Sequence, residues 1–378
     1  MKKKLHIICF TVPYPVNYGG VFDLFYILPA LKEAGIDIQL HCFDYGRGQQ
    51  PELNHFCEQV YYYSRQEGHK GISSGLPYIV SSRKNEQLLL RLMEDDYPIL
   101  MHGIHCTYLL TDARFNDRHC VVRLHNTEHL YYRQLAGSSR SLIKSLYFYL
   151  ESCQLKSYEK KISGRGHFVA VSPLDVTYYQ EQFQAPNISY LPVFLPPWNI
   201  NYRGTMGFYC LYHGDLQVPV NEQTAIRLLT RIFNKLAIPL VIAGRNPSTT
   251  LIELAHREQF TCLVANPSDA ELEDMIARAH VHVLPAQHNT GIQLKLLHAL
   301  FSGRHCVSNK AGVSNQELSK LVHTAESDES LMNLIAQLYR QPFSEEDFFT
   351  RKHELEKIFN VENQTRQLLK ILYPFDSQ

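Results

Sequence analysis

The sequence predicts an α/β protein made of two doubly wound domains, each with a parallel sheet covered by helices. Short apolar segments that are typical of buried strands alternate with amphipathic helical segments along the whole chain. The 378 residues are enough for two domains of ordinary size. A proline-rich stretch at 185–205 separates two halves that repeat the same alternation, so it is the best domain boundary.

The first half opens with an apolar strand, a turn and a helix. The strand is predicted at Leu5–Phe10, the turn at Pro13–Gly20 and the helix at Val21–Ala34, with Gly35 as the stop. Ser172 has the side chain of a helix N-cap and predicts that a helix starts there. The other strands predicted in this half are Ile36–Phe43, Pro98–Met101, Cys120–Leu124 and Phe168–Val171.

The second half repeats the pattern and adds clear helix starts. Asn221 is predicted to cap a helix, and the spacing of Ser268 and Glu271 predicts a capping box that opens the next one. Ser344 begins a second capping box, ahead of an amphipathic helix at Val361–Tyr373. The predicted strands are Phe208–Tyr212, Leu240–Ala243, Cys262–Ala265 and Val281–Pro285. We expect domains at 1–195 and 196–350, with a helical segment 351–378 that can cross back to the first domain.

Composition limits the function classes. The 37 basic and 37 acidic residues balance, which argues against a nucleic-acid partner. The nine cysteines are scattered without a Cys-x-x-Cys pair, so they indicate reduced thiols and neither a disulfide framework nor a zinc site. With no His-Glu-x-x-His motif either, we expect no metal and no cofactor. Because no signal peptide or membrane span is predicted, we expect a cytoplasmic protein.

Residues 281–309 carry the most informative pattern, VHVLPAQHNTGIQLKLLHALFSGRHCVSN. A strand, a turn at Thr290–Gly291 and a helix at Ile292–Phe301 follow one another. A permissive turn between a buried strand and a helix N-terminus is where α/β folds bind phosphate. Lys295 lies one turn into the helix and can lean toward the same anion. The alternative is an ordinary turn followed by a solvated lysine.

Glycines mark two further loops that follow strands. Gly19 and Gly20 come after the first strand of the first half, and Gly214 comes after the first strand of the second half. A glycine lets the backbone approach a ligand more closely than any residue with a Cβ. Turn geometry alone would also explain these glycines.

Polar side chains follow other predicted strands. His125 and Glu128 come directly after Cys120–Leu124, where they are expected at a ligand-binding edge of the sheet. His125 is either a functional group or a hydrogen-bonded loop histidine. Arg245 and Asn266 end two strands of the second half, and Arg245 is either a phosphate partner or a solvated loop arginine. Two histidines near an earlier strand end are weaker candidates: His102 and His105.

The pattern TG-I-x-L-K-L-L-x-A-L-x-x-G-R resembles the donor-binding helix of family-four-type enzymes, the glycosyl transferases group 1. The resemblance implies a GT-B fold, in which two Rossmann-like domains face each other across a cleft. It implies an acceptor-side domain followed by a nucleotide-sugar-binding domain. The reaction implied is retaining transfer of a hexosyl group from a nucleotide-sugar to a glycan or lipid-linked acceptor in polysaccharide biosynthesis, without a metal ion.

The resemblance also assigns roles to residues. His125 would position the donor sugar, and we assign the catalytic role to His125 and Glu128. The residues implied in donor binding are Gly19, Gly20, Gly214, Arg245, Asn266, Thr290, Gly291, Lys295 and His298.

Four positions depart from the family pattern. Thr290 and His298 stand where the family has glutamates, and Asp215 and Asn221 stand where it has an arginine and a lysine. A carboxylate beside a diphosphate would repel it, so Asp215 points elsewhere or the donor binds differently. These departures favour an alternative, a degenerate GT-B protein that binds nucleotide or glycan without catalysis. A GT-B sugar-nucleotide epimerase ranks third, because we find no paired carboxylates for it.

Residues 138–166 form a basic, aromatic-rich segment with an amphipathic pattern. Lysines and arginines, among them Arg140, alternate there with leucines and tyrosines. Such a helix either packs its apolar side on a core or lies on an anionic membrane face. The second alternative predicts a peripheral contact with the inner membrane.

Overall fold

The structure is a computed structural model that describes residues 3–17, 19–73, 75–139, 141–198, 200, 204, 206–287, 290–313 and 315–374. The chain divides into two compact units, Met1–Pro196 with Phe359–Gln378 and Pro197–Ile358. We call them unit 1 and unit 2.

Unit 1 is built on a parallel sheet. Its described residues form seven strands in the order β3-β2-β1-β4-β5-β6-β7. The strands are β1 Lys3–Cys9, β2 Ile36–Asp44, β3 Gln59–Ser64, β4 Ile99–His102, β5 Cys120–Leu124, β6 His167–Ala170 and β7 Ile188–Tyr190. The helices are α1 Phe22–Glu33, α2 Tyr78–Ser81, α3 Glu86–Leu92, α4 Glu128–Ser138, α5 Leu142–Ile162 and α6 Pro173–Phe183, and α14 Val361–Leu372 joins them from the end of the chain.

The final helix of unit 1 packs on the sheet next to α1. Leu368 and Leu372 are fully buried in the same cluster as Leu24 and Leu28. The side chain of Gln364 donates to the Pro192 carbonyl at 3.0 Å. The apolar face predicted for this helix therefore packs on the core of unit 1.

Unit 2 repeats the topology. Its described residues form six parallel strands in the order β10-β9-β8-β11-β12-β13. The strands are β8 Cys210–Asp215, β9 Leu240–Arg245, β10 Thr261–Ala265, β11 Val281–Val283, β12 His305–Ser308 and β13 His323–Thr324. The helices are α7 Pro219–Arg227, α8 Thr249–Arg257, α9 Asp269–Arg278, α10 Leu294–Ser302, α11 Gln316–Ser319, α12 Asp328–Leu338 and α13 Glu345–Ile358. The predicted fold class of two parallel-sheet α/β domains is confirmed.

The predicted helix starts at Ser172 and Ser268 are confirmed, whereas the helix predicted from Ile292 begins at Leu294, so Lys295 lies in its first turn. The oxygen of Ser172 accepts from Leu174 N–H, and Ser268 with Glu271 forms the predicted capping box. Asn221 is wrong as an N-cap, because α7 begins at Pro219 and places Asn221 in its first turn. Proline can start a helix since the first N–H has no intrahelical partner, and the N-cap is Val218, three residues before Asn221.

The sequence pattern missed two strands of unit 1, β3 and β7. Both are edge strands of the sheet, and they are less apolar than the central ones. No helix in the described part of the chain is long and apolar enough to cross a membrane.

Candidate functional site

The strand order of each unit reverses once, and the loops at that point form its binding edge. In unit 1 the reversal lies between β1 and β4, and in unit 2 between β8 and β11. Ligands of doubly wound folds bind outside the carboxyl ends of the strands at such a point. Gly214 is the second-last residue of β8, beyond the predicted strand end, and the Thr290–Gly291 turn follows β11, so both lie at the switch point of unit 2.

Lys295 is held over the Gly214 loop. Its Nζ donates to Oδ1 of Asn221 at 3.1 Å and lies 3.4 Å from the Tyr212 hydroxyl. The same ammonium is 4.8 Å from the centre of the Tyr212 ring. A Cβ on Gly214 would be 3.8 Å from Nζ, which puts the cation against the backbone of that loop. No pairing of Lys295 with Gly214 was predicted from the sequence, and the fold brings them together, so a cation lies at the switch point.

The partners of Lys295 leave its charge uncompensated. Tyr212 is neutral, and Asn221, at a position where the family has a lysine, supplies only an amide oxygen. Burial lowers the pKa of Lys295 to about 8, because the charged form is poorly solvated there. A bound anion would stabilise the ammonium in place of water.

The turn before α10 suits an anion. Gly291 has a φ of +67°, a conformation that glycine adopts without strain. No side chain among the described residues caps the N-terminus of α10. Its first N–H groups and the positive end of the helix dipole remain available. Thr290 lies in this turn next to Gly291.

Asp215 is engaged within its own turn. Its Oδ1 accepts from the N–H of Gln217 at 3.0 Å, and its carbonyl accepts from the Asn221 side chain at 2.9 Å. The side chain thus stabilises the β8–α7 turn. Of the two alternatives that the sequence left for this carboxylate, the structure favours a local partner.

Arg245 and Asn266 lie at the same sheet edge as Gly214. Arg245 is the register partner of Asp215 on β9, and its guanidinium is 3.6 Å from the exposed carboxylate of Asp269. Oδ1 of Asn266 accepts from the N–H of Asn246 at 2.8 Å. Asn266 therefore shapes the β9 loop, while Arg245 places a second cation near the switch point.

His298 lies one turn beyond Lys295 and packs on a residue that the sequence did not single out. Its ring stacks on Trp198 with centroids 4.5 Å apart and planes only 2° from parallel. Burial lowers the pKa of His298 to about 4, so the ring is neutral at physiological pH. It offers a flat, uncharged surface at a position where the family has a carboxylate.

Unit 1 has a buried ion pair under its own switch point. Arg123 donates to the two oxygens of Asp23 at 2.8 and 2.9 Å. Arg123 also donates to the Leu191 and Pro192 carbonyls, each at 2.7 Å. Because Arg123 compensates the charge, the pKa of Asp23 stays well below its usual range despite burial. Neither residue was predicted, since they lie 100 positions apart with no motif around them.

Two histidines stand on this ion pair. Nδ1 of His102 is 3.2 Å from Nε2 of His125 and 3.9 Å from Oδ2 of Asp23. Among the described residues, the other ring nitrogen of His102 has no hydrogen-bond partner. An unpaired acceptor costs less than an unpaired N–H, so the network assigns the His102 proton to Nδ1, which donates to His125. Nε2 of His125 then accepts, and its own proton lies on Nδ1.

The donor atoms of Asp23, His102 and His125 lie within 4.8 Å of one another, close enough for a metal ion. The chemistry of the set fits a metal poorly. Both oxygens of Asp23 already accept from Arg123, and the guanidinium would repel a cation. The imidazole of His125 is neutral, because burial lowers its pKa to about 4, and this by itself would not oppose a metal.

Glu128 begins α4 and is buried rather than open to the edge. It is 4% exposed. Burial, followed by the charges of Glu159 and Asp175, raises its pKa to about 8, so it is protonated at neutral pH. Glu159 accepts from the N–H groups of Glu128 and His129 at 3.0 and 3.1 Å. Glu128 can therefore donate a proton or a hydrogen bond, but it lies below the surface of the loop.

The glycine pair of unit 1 comes just before Asp23 in the chain. Gly19 and Gly20 form a short 3-10 turn that leads into α1, where Asp23 is buried in the first turn. The loop after β1 thus leads into the helix that carries Asp23, whose Oδ2 lies 3.7 Å from Nε2 of His125. The predicted residues fall into two groups: Gly19, Gly20, His125 and Glu128 in unit 1, and Gly214, Arg245, Asn266, Thr290, Gly291, Lys295 and His298 in unit 2.

Helix α5 lies within the basic segment 138–166, and only part of its apolar side is packed. Leu142 is 88% exposed and Ile143 is 83% exposed, so the alternative in which the apolar side packs on a core does not hold at the start of the helix. Leu155 and Ile162, further along, are buried. Arg140 lies outside the described residues.

The fold and the two switch-point sites define a GT-B protein, with a cation and a helix N-terminus in unit 2 and a neutral histidine in unit 1. Residues 207–341 match the family model described as Glycosyl transferases group 1. The chain thus carries a glycosyl transferases group 1 domain, and the resemblance seen in the sequence is confirmed. The family and the fold support a glycosyltransferase.

A curated relative and several solved structures extend the comparison. The chain is 24% identical over 327 residues to an uncharacterized 44.6 kDa protein in the cps region of Klebsiella pneumoniae, covering 82% of this chain and 83% of that protein. Sucrose-phosphate synthase from Thermosynechococcus elongatus is 13% identical over the full length of both chains, with a TM-score of 0.72. Anabaena HepE, solved with UDP and glucose, is 14% identical over 99% of this chain and 100% of that one, with a TM-score of 0.63. The two structures show the shared fold.

Proposed function

We propose that the protein is a retaining glycosyltransferase that moves a hexosyl group from a nucleotide-sugar to a hydroxyl of a glycan or lipid-linked acceptor. One observation carries the proposal. Lys295 is held against the Gly214 backbone at the switch point of unit 2, with uncharged hydrogen-bond partners. A part-buried cation whose hydrogen-bond partners are uncharged can take up an anion, and the leaving group of a nucleotide-sugar is a diphosphate.

The proposed chemistry needs only residues of the chain. When the bond between the anomeric carbon and the diphosphate breaks, negative charge grows on the departing oxygen. Lys295, the free N–H groups of α10 and Arg245 would stabilise that charge. The acceptor oxygen bonds to the carbon, and its proton passes to the departing diphosphate oxygen. His125 is neutral and oriented by His102, so it would hold the sugar by hydrogen bonds from the Nδ1 side.

We also propose that this transfer requires no metal ion. Fixed cations at the switch point take the part that a divalent ion has in other transferases. Activity should therefore survive treatment with excess chelator. Loss of activity on chelation, with recovery on adding Mg²⁺ or Zn²⁺, would overturn this part and direct attention to Asp23, His102 and His125.

Comparison with known proteins supports the direction of the proposal. Anabaena HepE, which shares the fold, was solved with UDP and glucose. The Klebsiella relative comes from a cps region, which supports a polysaccharide acceptor.

The deciding experiment incubates the protein with a panel of nucleotide-sugars, with and without glycan or lipid acceptors, and measures nucleotide release. Acceptor-dependent release that is lost in His125→Ala supports the transferase, provided that nucleotide affinity in this variant stays near that of the wild type. Phe349→Ala, at a 62% exposed residue, serves as the control. Nucleotide binding without release across the panel would favour the degenerate binder. Product retaining the donor's anomeric configuration would confirm the retaining class.

We further propose that the first half of α5 docks on an anionic membrane surface. Its exposed apolar residues, Leu142, Ile143, Leu146 and Leu150, are between 54% and 88% exposed. The two acids of the helix are turned inward: Glu151 is 5% exposed and Glu159 is fully buried. The charges that α5 presents to solvent are therefore lysines, with Lys144 beside the exposed apolar residues and Lys156, Lys160 and Lys161 further along the helix. An apolar surface flanked by basic residues fits an anionic bilayer.

Vesicle sedimentation tests this contact. We expect binding to vesicles that contain phosphatidylglycerol and little binding to neutral phosphatidylcholine vesicles. The double substitution Leu142→Ser with Ile143→Ser should lower the bound fraction at least tenfold, whereas Phe349→Ser should not change it. Equal binding of the double variant and the wild type would contradict the assignment to α5.

A further inference from the structure

A pocket lies in unit 1, at the edge of the sheet away from His125. It has a volume of about 340 Å³ and is lined by Gln49, Gln50, Asn54, Tyr61, Tyr62 and Arg91, among others. Tyr61 and Tyr62 belong to the edge strand β3, which is four strands from β5 in the sheet. At about 4.8 Å per strand this separation is roughly 19 Å. The pocket is therefore distinct from the candidate transfer site.

Arg91 is held in a fixed position beside this pocket. Its Nη1 donates to the Tyr63 hydroxyl at 3.1 Å. Its guanidinium carbon lies 4.3 Å from the centre of the Tyr61 ring, a cation–π geometry. The Tyr61 ring in turn stacks on His41, with centroids 5.1 Å apart and planes at 17°. These contacts fix the plane of the guanidinium without using a carboxylate.

A buried chain of hydrogen bonds supports Arg91 from below. His41 Nδ1 is 2.9 Å from the Tyr63 hydroxyl, and His41 Nε2 is 2.9 Å from His6 Nδ1. His6 Nε2 is 3.0 Å from both oxygens of Asp95. Three of these side chains are buried, His6, His41 and Tyr63.

The two ends of the chain fix the direction of every bond. Arg91 can only donate to Tyr63, and the Asp95 carboxylate can only accept from His6. His6 therefore carries its proton on Nε2 and accepts on Nδ1 from His41, which in turn accepts on Nδ1 from the hydroxyl of Tyr63. Burial lowers the pKa of both histidines, which keeps them neutral. The chain thus orients Tyr63 with a lone pair toward Arg91.

The result is a rigid cation among uncharged polar groups. Arg91 is the charged residue among those that line the pocket, and Gln49 and Asn54 add amide donors and acceptors. Amides and tyrosines suit a hydroxyl-rich ligand, and an oriented guanidinium suits a carboxylate. A core that needed only packing would not require two neutral histidines in series ending at this arginine.

We propose that this pocket binds an acidic saccharide, with the carboxylate of a uronic acid on Arg91 and sugar hydroxyls on the amide side chains. The site would hold a glycan at the edge of unit 1, away from the candidate transfer site. This inference stands independently of whether the protein catalyses sugar transfer, because it rests on the pocket and on the chain of bonds behind Arg91.

Calorimetry or ligand-observed NMR with three probes tests the proposal. The probes are a disaccharide that contains glucuronic acid, the matching neutral glucose disaccharide and inorganic phosphate. We expect the acidic disaccharide to bind and the other two to bind at least tenfold more weakly. Phosphate binding as tightly as the acidic disaccharide would show a general anion site and overturn the saccharide assignment.

Substitutions locate the binding and separate it from misfolding. Arg91→Gln should weaken binding of the acidic disaccharide at least tenfold. Arg91→Lys keeps the charge but loses the paired N–H donors of the guanidinium, so it should weaken binding severalfold. Glu94→Gln, which removes an exposed acid three residues along the chain, should tighten it slightly. Arg366→Gln, an exposed change of the same charge on α14, should have no effect. Unchanged binding in Arg91→Gln, with an unchanged circular dichroism spectrum, would overturn the site.

Nucleotide binding measured on the same samples distinguishes this proposal from the transferase. Arg91→Gln should keep the nucleotide affinity of the wild type, since the substitution lies in unit 1 and Lys295 in unit 2. Saccharide binding with no nucleotide binding would support this inference and count against the transferase. Nucleotide binding with no saccharide binding would do the reverse.

Discussion

The two switch-point sites differ in how their charge is compensated. In unit 1 the carboxylate of Asp23 and the guanidinium of Arg123 neutralise each other, and the histidines above them are neutral. In unit 2 Lys295 has only an amide oxygen and a phenol as partners. Unit 1 is thus complete as it stands, whereas unit 2 carries a charge that a ligand can satisfy.

This difference indicates which unit binds the anion and which unit orients the sugar. A part-buried cation with neutral partners gains most from an incoming diphosphate. His125 lies beside an ion pair whose charges already compensate each other, so a charged ligand would stabilise it little. It is, however, held in one orientation and one tautomer. We therefore assign donor anchoring to unit 2 and positioning of the sugar to unit 1, and the following predictions test that division.

The largest effect is expected from opening the ion pair of unit 1. Asp23→Ala leaves Arg123 buried without its partner, which should lower the free energy of unfolding by about 3–5 kcal/mol. Urea unfolding followed by circular dichroism measures this loss. Glu253→Ala, which removes an exposed partner of Arg257, is the control and should change stability very little. A similar, small loss in both variants would mean that Asp23 is not central to unit 1.

The next effect concerns the uncompensated cation of unit 2. Lys295→Ala should weaken binding of a nucleoside diphosphate by about 1.5–3 kcal/mol, the contribution of a charge-assisted hydrogen bond. Isothermal calorimetry measures the affinity, with Lys310→Ala in unit 2 as a matched loss of charge. Undiminished affinity in the Lys295 variant would remove the anchoring role and break the comparison.

The same cation predicts a pH dependence. The pKa of Lys295 in the free protein is about 8, so the ammonium that an anion needs is lost as the pH rises through this value. The dissociation constant of the diphosphate should therefore rise above pH 8, by up to about tenfold per pH unit. Lys295→Arg should flatten this profile, because a guanidinium stays charged. A flat profile in the wild type would show that another group holds the anion.

The smallest effect is expected at His298. Replacing it with the glutamate of the family pattern should not raise turnover, because the new carboxylate would face Glu273, whose Oε1 lies 3.9 Å from the present ring nitrogen. The substitution also removes the stack on Trp198. Turnover of His298→Glu and His298→Gln, measured side by side, checks this. A clear gain with glutamate alone would show that the site is a weakened version of the family site.

Part of the candidate site could be predicted from the sequence because it lies in short local patterns. The turn at Thr290–Gly291, the helix behind it and Lys295 are contiguous, and the strand before them is apolar. Asn221 shows the limit of such patterns. Its side chain was expected to cap a helix, but Pro219 starts the helix earlier and Asn221 holds Lys295 instead.

Residues that act through long-range contacts left no local pattern. Arg123 lies on a buried apolar strand, although its guanidinium reaches two distant segments, at Asp23 and at Leu191–Pro192. Trp198 lies in the proline-rich stretch that marked a domain boundary, and nothing in its neighbours predicts the stack on His298.

Local patterns in the sequence predict the alternation of strands and helices, the two halves and the anion-binding turn, because strand hydrophobicity, capping boxes and glycine turns are local properties of the chain. Which charged side chains have a compensating partner depends on the tertiary structure. It turned Glu151 and Glu159 inward and left the lysines of α5 outside, and it aligned Arg91 with two buried histidines. Charge compensation depends on which distant side chains meet after folding, and a linear pattern does not record that.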